Sequence, residues 1–197
     1  MPQPDHVMAL ALPDPEGEAL DDDLKAYYAK CRDKLGLVPN VIKAYSLRPR
    51  KLRAFIAYYN ELMLGESGLA KLEREMIAVV VSSANRCYYC LVAHGQAVRA
   101  LSDDPELGEM LVMNWRIADL PARQRALLAF AWKLTVEPHT VDEADRKSLR
   151  AVGLSDEDIF DACDVAGFFN MSNRVASGVD MMPNPDYHAR DRRPREG

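Results

Sequence analysis

Four residues near the middle of the chain have side chains and a spacing suited to thiol redox chemistry. They are Glu75, Cys87, Cys90 and His94, with Tyr88 and Tyr89 between the two cysteines. Asn85 is a good helix N-cap, which predicts Cys87 in the first turn of a helix continuing to about Leu101. At about 100° per residue, Cys87, Cys90 and His94 then share a face with Leu91, Val98 and Leu101. A helix N-terminus and a nearby imidazolium both stabilise a thiolate, which is the nucleophilic form of cysteine. Cys90 and His94 are an i,i+4 pair, and the cysteine spacing allows a disulfide without gross unwinding of the helix. Glu75 lies on the preceding helix. From there it can reach across an antiparallel helix pair to orient the histidine or move protons.

Other uses of a cysteine pair fit less of this pattern. Haem c attachment needs a histidine directly after the second cysteine, where Leu91 stands. A thioredoxin fold places the motif after a strand in a βαβ unit, and no such pattern is visible. Zinc is the strongest competitor, because Cys87, Cys90, His94 and Glu75 are all ligand types. A structural zinc usually recruits a second Cys or His pair at similar spacing, and the sequence offers none. The expectation is therefore no metal and no cofactor. A zinc- or disulfide-stabilised binding protein is the alternative.

The elements that must position these groups read as helices throughout. Leu24, Tyr27, Tyr28, Cys31 and Leu35 follow helical spacing, and Gly36 stands where a C-terminal cap belongs. Pro49, Pro105 and Pro121 sit just inside the starts of apolar-periodic runs, where a missing N–H costs nothing. Thr140 with Glu143 reads as a capping box, and Ser155 as the cap of the last long helix. Val79, Val80 and Val81 favour strand, but they end a longer run of helical period through Leu72, Met76 and Ile77. The expected fold is all-α, with eight or nine helices and no sheet. Residues 1–20, rich in proline and acid, read as an extended arm, 21–182 as the helical domain and 183–197 as a tail.

Composition narrows the function classes. The chain has 197 residues, of which 48% are hydrophobic, enough for a substantial core. A formal net charge of -5 argues against a nucleic-acid partner, which calls for clustered Lys and Arg. The one dense basic run, Arg190 to Arg195, reads as solvated tail. No apolar stretch is long enough to span a bilayer, and Met1-Pro2-Gln3-Pro4-Asp5 lacks the features of a secretory signal. The expected location is the cytoplasm, where ordinary cysteines stay reduced. Cys31 and Cys163, isolated on amphipathic helices, read as core residues. Asn170, Asn173 and Arg174 read as a structural hydrogen-bond network rather than as catalytic groups.

Glu75, Cys87, Cys90 and His94 together resemble the signature of the carboxymuconolactone decarboxylase superfamily, in its alkylhydroperoxidase AhpD-like, peroxidase-related branch. That signature is a Glu, a CxxC twelve residues on, and a His four after the second cysteine. Gly36-Leu-Val-Pro-Asn40, Glu73-Arg-Glu75, Ala126-Leu-Leu-Ala-Phe-Ala131 and Phe169-Asn-Met-Ser-Asn-Arg174 extend the resemblance over nearly the whole chain except its ends. It implies an AhpD-like helical bundle assembled into homo-oligomers. It further implies reduction of hydroperoxides through the cysteine pair, recharged by a dithiol reductant such as a thioredoxin-like or lipoyl protein. By position, Cys90 would be oxidised to a sulfenic acid, Cys87 would close the disulfide, and His94 and Glu75 would relay protons. The best-known members carry His just before the second cysteine, where this chain has Tyr89. Lyase members lack the cysteine pair, so carboxymuconolactone-decarboxylase-like activity is the less favoured inheritance.

Overall fold

A computed structural model describes residues 3–193 and contains nine α-helices among them, with no strand. They are α1 (Asp22–Leu35), α2 (Asn40–Tyr45), α3 (Pro49–Leu64), α4 (Lys71–Asn85), α5 (Tyr88–Ser102), α6 (Pro105–Asn114), α7 (Ala122–Val136), α8 (Glu143–Ala151) and α9 (Asp156–Gly178). The first two residues of the expected arm and the last four of the expected tail, Arg195 included, lie outside the described residues.

The bundle is organised around α4, which packs against α5, α6, α7 and α9. Met76, Ile77, Ala78, Val79, Val80, Val81 and Ser82 are all fully buried, so the middle of this helix is covered on every side, as a central helix must be. The three valines are helical, as their period predicted. A β-branched residue loses at most about 0.7 kcal/mol to alanine in helix propensity. Burying its side chain returns about 1.5 kcal/mol or more. Packing decides the conformation.

Two caps match their sequence signals. Gly36 ends α1 in the left-handed region at φ 70°, and Ser155 accepts the Asp158 N–H at 3.1 Å to start α9. Pro49 and Pro105 open α3 and α6, while Pro121 sits one residue before α7. The box expected at Thr140 forms instead at Asp142, which accepts from Ala144 while Asp145 accepts the Asp142 N–H at 2.9 Å. Thr140 is drawn into a 3₁₀ turn, where its hydroxyl donates to the Glu137 carbonyl.

The cap of α5 also differs from expectation, and this difference bears on the site. Asn85 is the last residue of α4, not an N-cap. Arg86 turns the chain in the left-handed region at φ 54°, Cys87 N–H returns to the Ser82 carbonyl at 3.0 Å, and Cys87 itself caps α5. The Asn85 side chain is directed to α9, where its amide nitrogen donates to Asn170 and Asn173.

Both terminal segments lie on the bundle. Ala9 N–H donates to the Val179 carbonyl at 2.9 Å and Met182 N–H to the Val7 carbonyl at 3.1 Å. The Arg190 guanidinium donates to the Leu35 carbonyl, and Arg192 pairs with Glu109. Part of the basic run is thus docked on its own protein.

Candidate active site

The joint between α4 and α5 spans only Arg86 and Cys87, so the two helices run back antiparallel in close contact. That joint puts Cys87 at the mouth of α5, Cys90 in its first turn and His94 one turn deeper, with Glu75 facing them from α4. The two sulfurs lie 2.9 Å apart as free thiols, and each cysteine is only 1% exposed. His94 Nδ1 and Glu75 Oε2 are 2.7 Å apart, with both side chains 12% exposed. Phe169 of α9 meets the imidazole edge-on at a centroid distance of 4.6 Å. A carboxylate on Nδ1 fixes the ring's orientation and leaves Nε2 as the nitrogen free to exchange a proton. All four residues singled out in the sequence are brought together.

The thiols are not equivalent. The hydrogen-bonded contact with the Cys90 sulfur, working against burial, pulls the Cys87 thiol down to about 7. The Cys90 backbone N–H, Ser177 and the charge of His94 act in the same direction. The contact with Cys87, and then burial, pushes Cys90 well above the ordinary thiol range, while the polar groups of Asn173 and Ser82 act the other way. The resting charge is therefore favoured on Cys87, at the helix mouth, whereas the family resemblance makes Cys90 the thiol that is oxidised.

Ser82, Asn173 and Ser177 are the groups that sequence reasoning did not assign to the site. The available signal was a serine directly after three valines and an asparagine in an otherwise apolar turn of α9. Neither spacing says that the two helices meet at a sulfur.

A cluster separate from the main core covers the pair. It comprises Met8, Ala44, Tyr89, Ala176 and Met181 packed on the two cysteines. Among the described residues, no group of three or more His, Cys, Asp and Glu is arranged to hold a metal ion, and no helix is long and apolar enough to cross a membrane.

Comparison with known proteins agrees with this construction. The model of the carboxymuconolactone decarboxylase family matches residues 49–132, which hold all four residues of the cluster. An uncharacterized peroxidase-related protein from Silicibacter sp. TM1040 is 58% identical over 98% of this chain and 100% of its own, with a TM-score of 0.93. This chain belongs to the carboxymuconolactone decarboxylase family. Within it, an alkylhydroperoxidase AhpD core, an uncharacterized peroxidase-related protein from Ralstonia eutropha JMP134, is 41% identical over 96% of this chain and 99% of its own, with a TM-score of 0.92. The debrominase Bmp8, solved with 2,3,4-tribromopyrrole, shares the fold at 18% identity, covering 93% of this chain and 94% of its own with a TM-score of 0.75. No protein of curated function matches the chain.

Two tyrosines separate the cysteines of this family member, and they behave differently. Tyr89 is buried, its hydroxyl accepts the Val41 N–H at 3.1 Å, and burial raises its phenol well above the usual range. It fastens α5 to α2 and does not move protons at neutral pH. Tyr88 is 45% exposed and meets Gln3 and His188 of the terminal segments. It borders a cavity of about 200 Å³ on the far flank of α5, shared with Leu91, Val92, Val112 and Met113. Arg99 at its edge is held by the carbonyls of Tyr187 and Arg190.

Proposed function

We propose that this protein is a thiol-dependent peroxidase that reduces alkyl hydroperoxides through Cys87 and Cys90, with His94 and Glu75 as the proton relay. The observation that carries the reading is the buried 2.9 Å contact between two free thiols beside a carboxylate-oriented imidazole. Neither half is needed for packing alone. Buried polar clusters are retained at a cost, and perturbed thiols concentrate where chemistry is done.

The cycle begins when the Cys90 proton crosses to Cys87, leaving the charge on Cys90. The Cys90 thiolate attacks the terminal peroxide oxygen, forming an S–O bond and breaking the O–O bond. The departing alkoxide takes a proton relayed by His94 and leaves as the alcohol. Cys87, now a thiol, attacks the sulfenic acid, and the disulfide forms with release of water. A dithiol reductant, a thioredoxin-like or lipoyl protein, then returns both cysteines to thiols by exchange. The assembly is a homo-oligomer, as its branch of the family implies.

The resting charge on Cys87 favours a second order of events, with Cys87 attacking and Cys90 resolving. Cys87→Ser and Cys90→Ser proteins, each treated with one equivalent of peroxide and a dimedone-type trap, separate the two. The proposal predicts a trapped sulfenic acid at Cys90 in Cys87→Ser and little adduct at Cys87 in Cys90→Ser. The opposite distribution reverses the roles. No adduct in either variant and no disulfide in the wild type removes the peroxidase reading.

A further inference from the structure

Arg99 on α5 is a buried cation whose hydrogen bonds all go to neutral groups. It is only 5% exposed. Its Nε donates to the Arg190 carbonyl at 3.2 Å, and its Nη2 donates to the carbonyls of Tyr187 at 2.9 Å and Arg190 at 3.1 Å. Carbonyls satisfy these N–H groups without neutralising the charge, and a buried charge without a counterion is costly. The carboxylates whose charge reaches Arg99 are Glu109 and Asp191, and both are engaged elsewhere. Glu109 pairs with Arg192, and Asp191 accepts from Gln96 Nε2. Among the described residues, the two Nη1 hydrogens of Arg99 have no acceptor, although Nη1 is not sealed from solvent. The stem is held in place by α6, where a Cβ on Gly108 would fall 2.7 Å from Arg99 Cγ.

Arg99 lines the cavity of about 200 Å³ beside α5, together with the apolar side chains of Leu91, Val92, Val112 and Met113. We propose that this cavity binds a small aliphatic carboxylate, with its chain on those four residues and its charged end on Arg99 Nη1. A mostly apolar cavity with one fixed polar anchor is the usual make-up of a small-molecule site. The volume is below the roughly 300–1,000 Å³ of clefts for drug-sized ligands, which points to a short chain. The charge state follows from the guanidinium. Nε and Nη2 are spent on carbonyls, so the two-nitrogen fork that grips a phosphate is not on offer, and one nitrogen suits one carboxylate oxygen. Among the described residues that line the cavity are none of Glu75, Cys87, Cys90 and His94, so this site is distinct from the thiol pair. Tyr187 and His188 also border it, so a bound ligand would touch α5, α6 and the C-terminal segment together.

Isothermal titration calorimetry of the full chain with hexanoate, hexanol and hexylammonium tests this. Hexanoate is expected to bind with a dissociation constant on the order of 1 mM, and the other two about tenfold or more weakly. Met113→Glu tests the place. Met113 is 78% exposed, so the change leaves the core alone. A carboxylate on the cavity wall should weaken hexanoate by about tenfold and leave hexanol unchanged. Arg99→Met removes the cation and should bring hexanoate down to the level of hexanol. Hexanol binding as tightly as hexanoate overturns the proposal, as does hexanoate binding that Met113→Glu leaves unchanged. No saturation at about ten times the expected constant also overturns it, and is the result if a second copy of the chain covers the cavity. If Arg99→Met fails to fold, the comparison of ligands and Met113→Glu decide. Peroxide turnover is not read, so loss of the peroxidase reading alone leaves this result standing.

Discussion

On one flank of α5 lie Cys87, Cys90 and His94, each partnered and pressed against α4 and α9. On another flank lie Tyr88 and Val92, with Leu91 at the border between the two, beside an open cavity bounded by α6 and the C-terminal segment. The first flank has reactive groups and almost no exposure, and the second has space and exposure but no reactive pair. The first is held by side chains that reach across from other helices, so its geometry is over-determined. The second is finished by chain ends, with Arg99 fastened to the carbonyls of Tyr187 and Arg190. The contrast locates both the chemistry and the route to it. On the proposed reading, the expected approach to the sulfurs is the side covered by Met8 and Met181, which pack on the pair.

The largest effect that sharpens this comparison is expected on the buried flank. His94→Ala and Glu75→Gln should each slow oxidation of the thiol pair by about a hundredfold, the low end of general acid–base catalysis. Stopped-flow consumption of an alkyl hydroperoxide measures this. Full activity in both variants breaks the assignment of a relay. A smaller effect is expected at the cover. A protein lacking the residues up to Ala9 loses Met8 from above the pair, together with the bond from Ala9 N–H to the Val179 carbonyl. Its cysteines should alkylate about tenfold faster, because local opening no longer limits access. Equal rates would mean that the entrance lies elsewhere.

The smallest effect on chemistry is expected on the cavity flank. Arg99→Ala leaves two carbonyls of the C-terminal segment without their donor, which should cost about 1–3 kcal/mol in urea denaturation. The rate of thiol oxidation should stay at the wild-type value. A large loss of rate at unchanged stability would make the cavity part of the active site.

What the sequence made legible follows from how local each signal was. Glu75, Cys87, Cys90 and His94 cluster because helical spacing and one short joint bring them together, and both are local. Gly36 and Ser155 were readable for the same reason. Asn85 was misread as a cap because a local rule met a tertiary competitor, the amides of Asn170 and Asn173 on α9. The bond from Asn173 to Ser82 joins positions 91 apart in the chain, so no local signal announces that partner. The resting proton position was not legible either. It depends on a buried sulfur–sulfur contact that only the folded joint creates.

The central claim is that the buried dithiol, and not another cysteine, is what peroxide oxidises. One equivalent of alkyl hydroperoxide added to reduced wild-type protein, followed by alkylation and peptide mass spectrometry, tests it most directly. The account predicts one disulfide joining Cys87 and Cys90, formed faster as pH rises through about 7, where Cys87 loses its proton. Cys31 and Cys163, whose thiols burial pushes upward, should remain alkylatable. Oxidation at Cys31 or Cys163 with the pair at residues 87 and 90 still reduced would contradict it.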